Sequence, residues 1–353
     1  MWRSIGQRLA AGCLAGLVAV PWSFADEAPK PPVPLIKLEY PGNPPNIRML
    51  YVRLLALGDH QVDVPLLFDT GSVGITVECE SVLPARYCSA SGIKIDAPLE
   101  LEGLTVTTRP ALAQYGTYDE YGNIAYATVS FGAREHPIST AERIPILVRY
   151  KKVRRATGEI VGGPLWPKGV FGVSPVGSMA GLRSPMSAIE VPAGQHKGYR
   201  LSPVGAEWNR CTNEEGTCPE VAALHIGIDP AIEKDFTLAK LKKLPSEHYF
   251  PFVETCITWQ QEKVCRPAIY DTGNSTIVIA GKPPKGTVAP LPIGTAVAAS
   301  VLDAAAWRFS VQYEPEVEFA PQMDIHLIGI RYFETNSLLV DLDGQEVGFR
   351  LGQ

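Results

Sequence analysis

The chain carries one segment twice. Pro65-Leu-Leu-Phe-Asp69-Thr-Gly-Ser-Val-Gly-Ile75-Thr-Val77 aligns without gaps on Pro267-Ala-Ile-Tyr-Asp271-Thr-Gly-Asn-Ser-Thr-Ile277-Val-Ile279. A lone Asp-Thr-Gly is common in tight turns. Two copies in one apolar context, 202 positions apart, divide the chain into related halves. Each aspartate follows an apolar run and precedes a glycine turn, which places its carboxyl at a strand end. Halves related by a two-fold axis would bring both carboxyls together on that axis.

Two carboxyls at close range cannot both ionise easily, because repulsion raises one pKa and the pair then holds a single proton. The ionised member can draw a proton from a water while the protonated member donates to a peptide carbonyl. Ser72, Thr70 and Thr272 are placed to hold the carboxylates by hydrogen bonds, and Gly71 and Gly273 make the turns. This chemistry is hydrolysis by an activated water, with no metal, cofactor or serine nucleophile. Gly172-Val-Ser174 lacks the second glycine of a nucleophile elbow.

Composition fits an all-β reading. With 32 Gly and 31 Pro in 353 residues, turns recur too often for a helical bundle, and 46% apolar residues exclude a disordered polymer. β-Branched and aromatic runs at 49–56, 62–68, 104–108, 124–131 and 144–150 read as strands. Short helices are expected over 230–238, with Asp229 as N-cap, and over 302–307. The formal charge of −5 offers no reason to expect nucleic acid.

Arg3 and Arg8, the apolar run from Leu9 to Val20 and Ser23-Phe24-Ala25 describe an export signal over 1–25, too short to span a bilayer. A lipid-bearing Cys13 is the rival reading, and almost nothing apolar precedes it. Residues 26–46 read as a Pro-rich lead-in, 47–204 as a first β-rich lobe and 205–353 as a second. Six cysteines remain after the signal, in neighbour pairs Cys79–Cys88, Cys211–Cys218 and Cys256–Cys265. Many pairings are open to six cysteines, but these three each close a small loop in an oxidising, periplasmic or extracellular compartment. The six histidines are scattered and no Cys-x-x-Cys exists, which disfavours zinc.

Taken with further segments, the repeat resembles the pepsin-like aspartic proteases. Tyr115-Gly116-Thr117, followed by Tyr121 to Val129, is similar to that family's substrate-covering flap. Gly169-Val-Phe-Gly-Val173, His225-Ile-Gly-Ile-Asp229 and Leu327-Ile-Gly-Ile-Arg-Tyr-Phe333 match segments that follow, and the resemblance covers roughly 49–351. It implies a two-lobed, pseudo-two-fold fold with few short helices. It also implies a monomeric endopeptidase acting on a polypeptide, without membrane anchor once the signal is removed. Asp69 and Asp271 would be catalytic, and Thr70 and Thr272 would cross-brace the two loops. The alternative is a catalytically silent relative that binds a partner.

Some positions depart from the family. Thr76 stands where a tryptophan commonly holds the flap tyrosine, and is too short to do the same. Asn274 replaces the usual Thr or Ser, and its amide is expected to donate to Asp271. Tyr118-Asp119-Glu120 reads as a solvated flap tip, or as acids that attract a basic substrate residue. The second half has only 58 residues from Asp271 to Gly329 against 103 from Asp69 to Gly172, implying an open cleft and loose specificity. The short stretch before Met49 implies activity without removal of a pro-segment.

Overall fold

The computed structural model describes residues 31–40, 47–161, 167–175, 179–208, 219–243, 249–250, 252–302 and 306–352. The expected export signal and the Cys211–Cys218 pair lie outside them. The chain is all-β; among the described residues the α-helices are two four-residue turns, Cys79–Val82 and Pro230–Glu233. Asp229 caps the second as expected, its Oδ1 accepting from Ala231 N at 2.8 Å.

The sequence repeat is also a topological one. In the first half an inbound strand, His60–Asp69, leads into the Asp-Thr-Gly loop and an outbound strand, Val73–Glu78, leaves it. A flanking strand, Gly169–Val173, runs parallel to the inbound strand and antiparallel to the outbound one. An outer strand, Ile144–Arg154, then lies parallel to the outbound strand. The second half repeats each relation with Glu262–Tyr270 inbound, Ile277–Ala280 outbound, His326–Ile328 flanking and Val317–Ala320 outer. Even the antiparallel partner of each inbound strand recurs, Ile47–Leu57 in one half and Val253–Trp259 in the other.

Burial explains the composition of these strands. The first outbound strand is buried at Val73 through Val77 and the second along its whole length. Strands covered on both faces read as continuous apolar runs rather than alternations. Each flanking strand passes so close beneath its loop that only glycine fits. A Cβ on Gly172 would lie 2.7 Å from Ser72 O, and one on Gly329 2.2 Å from Thr276 O. One hydrophobic cluster runs through both halves and includes Phe68, Ile75, Tyr270, Ile277, Tyr332 and Phe349.

Three expectations are corrected. The lead-in is not simply an extended approach, because Val33–Tyr40 is a strand paired with Ile47–Leu57 on one side and Glu220–Ile228 on the other. Its Lys37 is buried, with Nζ donating to Val204 O at 2.7 Å and Gly205 O at 2.9 Å, which masked the segment's strand character. His196–Leu201, outside the β-branched and aromatic runs noted in the sequence, is a strand between Glu220–Ile228 and Ser337–Asp341. Within 302–307, Ala306 and Trp307 open the strand Ala306–Ser310 instead of closing a helix. The large sheet therefore runs from the first Asp-Thr-Gly unit through residues 33–40 to the C-terminal strands.

Among the described residues two disulfides are formed, Cys79–Cys88 and Cys256–Cys265, the latter joining directly opposed residues of a hairpin. Both fit a protein that matures in an oxidising compartment. Among the described residues no helix is long and apolar enough to cross a membrane.

Candidate active site

The two Asp-Thr-Gly loops meet and lock. Thr70 N donates to Thr272 Oγ1 at 3.1 Å, and Thr272 N donates to Thr70 Oγ1 at 3.0 Å. Each hydroxyl passes its own proton to the opposite inbound strand, Thr70 to Tyr270 O at 2.7 Å and Thr272 to Phe68 O at 2.6 Å. All four bonds are buried, where an unpaired partner would cost about 1–3 kcal/mol. The threonines thus bridge the two loops, and their hydroxyls bond main-chain carbonyls instead of the carboxylates they were expected to hold.

This lock sets each carboxyl against the other loop. A Cβ on Gly71 would lie 2.4 Å from Asp271 Cγ, and one on Gly273 would lie 2.7 Å from Asp69 Cγ. Neither glycine has a positive φ, so it is close approach rather than backbone freedom that demands them. Each carboxyl thus packs against the glycine of the opposite loop, close enough for the charge of Asp69 to act on Asp271.

The loops differ in what they offer their own aspartate. Asp69 Oδ1 accepts from Gly71 N at 2.8 Å and Ser72 N at 3.0 Å, and its Oδ2 accepts the Ser72 hydroxyl at 2.6 Å. Three donors favour the carboxylate. Asp271 Oδ1 accepts from Gly273 N at 2.8 Å, with no side-chain donor from its own loop. Asn274 does not supply one: its Nδ2 donates to Thr276 O at 3.0 Å, and its Oδ1 accepts from Thr276 N at 3.3 Å. The side chain closes its own turn, an ordinary preference of Asn. Burial, then the neighbouring charge of Asp69, push Asp271 well above the usual carboxylate range. The donors thus gather on Asp69, and the upward shift falls on Asp271.

Strands Leu104–Gln114 and Tyr118–Ala127 form the hairpin expected to carry the flap. Its turn is Tyr115 to Tyr118, closed by Tyr115 N donating to Tyr118 O at 2.8 Å, with Gly116 and Thr117 exposed. Tyr118-Asp119-Glu120 is consequently strand and not tip. Glu120 is fully buried and ion-paired with Arg149, while Asp119 lies 3.2 Å from Arg155 Nε. Neither solvated acids nor free acids awaiting a basic substrate describe them. Thr76 is long enough after all: Tyr115 Oη reaches its Oγ1 at 3.5 Å. Burial, followed by the nearby charge of Glu120, raises the Tyr115 phenol, and Asp69 contributes in the same direction.

Arg149, Lys152 and Arg155 were not singled out from sequence. The signal was the basic run Lys151-Lys-Val-Arg-Arg155 closing an otherwise apolar strand, opposite two acids. Among the described residues His196, Glu233 and Asp341 form one group with ligand-type atoms within 4.8 Å of one another. It is an internal ion-pair cluster, with His196 Nδ1 at 2.8 Å from Asp341 Oδ2. A cavity of about 530 Å³ lined by Glu78, Arg149, Lys152 and Lys168 lies along the end of the Ile144–Arg154 strand and includes neither aspartate. No protein-family model matches the chain, and no curated protein shows significant sequence similarity to it.

Proposed function

We propose that this chain is an exported, pepsin-like aspartic endopeptidase of two β-rich lobes with one active site per monomer. The observation that carries the reading is the locked, unequal aspartate pair. Asp69 has the donors that stabilise an anion, and Asp271 has the burial and neighbouring charge that retain a proton. A water placed between them loses a proton to Asp69 and attacks the peptide carbon. Asp271 protonates the carbonyl oxygen, giving a tetrahedral diol. On collapse Asp69 delivers its proton to the leaving nitrogen and Asp271 regains one from a diol hydroxyl. No covalent intermediate forms, and the residues so assigned require neither metal nor cofactor.

The substrate is an extended polypeptide. An extended segment can add main-chain hydrogen bonds along the exposed Gly116-Thr117 turn, a mode in which backbone pairing gives affinity. An acidic optimum follows from the need to keep one proton on the pair. The disulfides and the sequence of residues 1–25 support maturation outside the cytoplasm.

The test is incubation of the chain from residue 26 onward with a reduced, unfolded protein across about pH 3 to 7. Asp69→Asn and Asp271→Asn are run beside it. Acid-favoured cleavage within the chain, lost in both variants, is the expected result. Cleavage surviving either substitution removes the dyad from the mechanism. A folded protein that binds peptide but cuts nothing at any pH establishes the silent-binder alternative instead.

A further inference from the structure

Beneath the hairpin lies a buried charge pair that the hydrolytic chemistry does not use. Glu120 and Thr76 are fully buried and the Arg149 side chain is 2% exposed. Glu120 Oε2 accepts the Thr76 hydroxyl at 2.7 Å, and Oε1 is gripped by Arg149 Nη1, with Lys152 Nζ at 3.8 Å. Thr76 Oγ1 also accepts from Val170 N at 3.2 Å, so its proton is committed to Glu120 and its remaining capacity faces Tyr115 Oη. The order of contact is Arg149, Glu120, Thr76, Tyr115.

Strand parity shows that the cluster is built into the backbone. Arg149 lies opposite Gly122 and Lys152 opposite Glu120, with a bulge between Arg149 and Lys151. Residues three apart on a regular strand face opposite ways. The extra residue of the bulge turns both cations toward Glu120. Gly122, opposite Arg149, lets the two strands approach closely at the bulge, since a Cβ there would lie 2.3 Å from Val148 O. Burying a charged pair costs several kcal/mol of desolvation per ion before attraction offsets it, so such a pair is weak support for stability. Its geometric consequence is specific: it fixes a hydroxyl under the tyrosine of the hairpin turn.

We propose that Glu120 is a positioning residue that sets Tyr115 toward the aspartate pair, acting through Thr76 and held by Arg149. The inference rests on the reading of the hairpin as a substrate-covering flap. Its consequence is a hairpin already seated before substrate arrives, so loss of the anchor weakens peptide binding more than the chemical step.

Two variants separate this role from simple stability. Glu120→Leu with Arg149→Met removes both charges together, a change buried pairs often tolerate in stability. Thr76→Val cuts the relay while keeping shape. Each is expected to raise KM for a peptide substrate about tenfold with kcat within about twofold, the signature of lost binding shared by ground and transition states. The three changes combined should do no more than either alone, because they interrupt one relay. Hydrogen exchange at the Tyr115 amide, which closes the hairpin turn, should accelerate in both variants without any substrate present. Unchanged KM and unchanged exchange in a folded Glu120→Leu/Arg149→Met protein overturn the proposal. So does an additive loss, or a fall in kcat alone. If the wild-type chain cuts nothing, the endopeptidase reading fails separately while the exchange measurement still decides the anchor.

Discussion

The two Asp-Thr-Gly loops share strand pairing and the threonine lock, and differ in what the residue after each glycine donates. Ser72 donates to Asp69; Asn274, at the matching position, turns into its own loop. A symmetric scaffold therefore carries an asymmetric pair, with three donors on the first aspartate and an upward pKa shift on the second. The difference teaches that the scaffold brings the carboxyls together, while the residue after each glycine, by its N–H and its side chain, sets the donors each one receives. The halves also differ above the loops, since the first carries the hairpin and its buried anchor.

The largest effect should come from removing either carboxylate. Asp69→Asn and Asp271→Asn should each lower kcat/KM by about a thousandfold or more while leaving the fold intact, read by peptide cleavage and circular dichroism. A large gap between the two would break the idea that both act in one step. Next come the lock residues. Thr70→Val and Thr272→Val should each destabilise the protein by about 2–4 kcal/mol in denaturant unfolding, because each strands a buried N–H and a buried carbonyl. The double variant should lose less than the sum, since the four bonds are shared between one pair.

The loop difference itself can be erased. Ser72→Ala removes a donor to Asp69 and should move the acid limb of kcat/KM upward by about one pH unit. Asn274→Ser offers Asp271 the missing hydroxyl and should move the alkaline limb downward. If neither limb moves, the donor difference between the loops does not govern the pair.

The smallest effect concerns acid stability. His326 occupies the register position in the second flanking strand that Gly169 holds in the first. It is fully buried, its Nδ1 accepts from Ala280 N at 2.9 Å, and burial lowers its pKa from 6.5 to about 4. The unfolded chain binds this proton first, so the contribution is intact above pH 6.5 and is lost progressively down to about pH 4. Asp271 acts in the opposite sense: its raised pKa favours the folded state in acid, an advantage lost as pH rises through the folded-state value. His326→Gln should flatten the fall of Tm across that acid window, measured by thermal unfolding at several pH values.

Much of the site was legible because the chemistry is local. Asp69, Asp271 and their glycines and threonines sit in a repeated tripeptide whose turn geometry travels with the sequence. The outbound strands were legible for the same reason, being apolar throughout. Val33–Tyr40 and His196–Leu201 were not, because Pro34, Lys37 and Lys197 disguise strands whose polar atoms are satisfied by distant carbonyls. Glu120 was misread because a hairpin turn three residues earlier than expected moves it from tip to interior.

By itself, then, the sequence determined that two matched carboxyls and two threonines would be presented on two equivalent turns. Only the tertiary structure decided which aspartate receives the donors and that an acid in the hairpin faces inward. The reason is physical. A turn is set by neighbours along the chain, whereas a proton's position and a side chain's facing depend on donors and a bulge supplied from elsewhere in the fold.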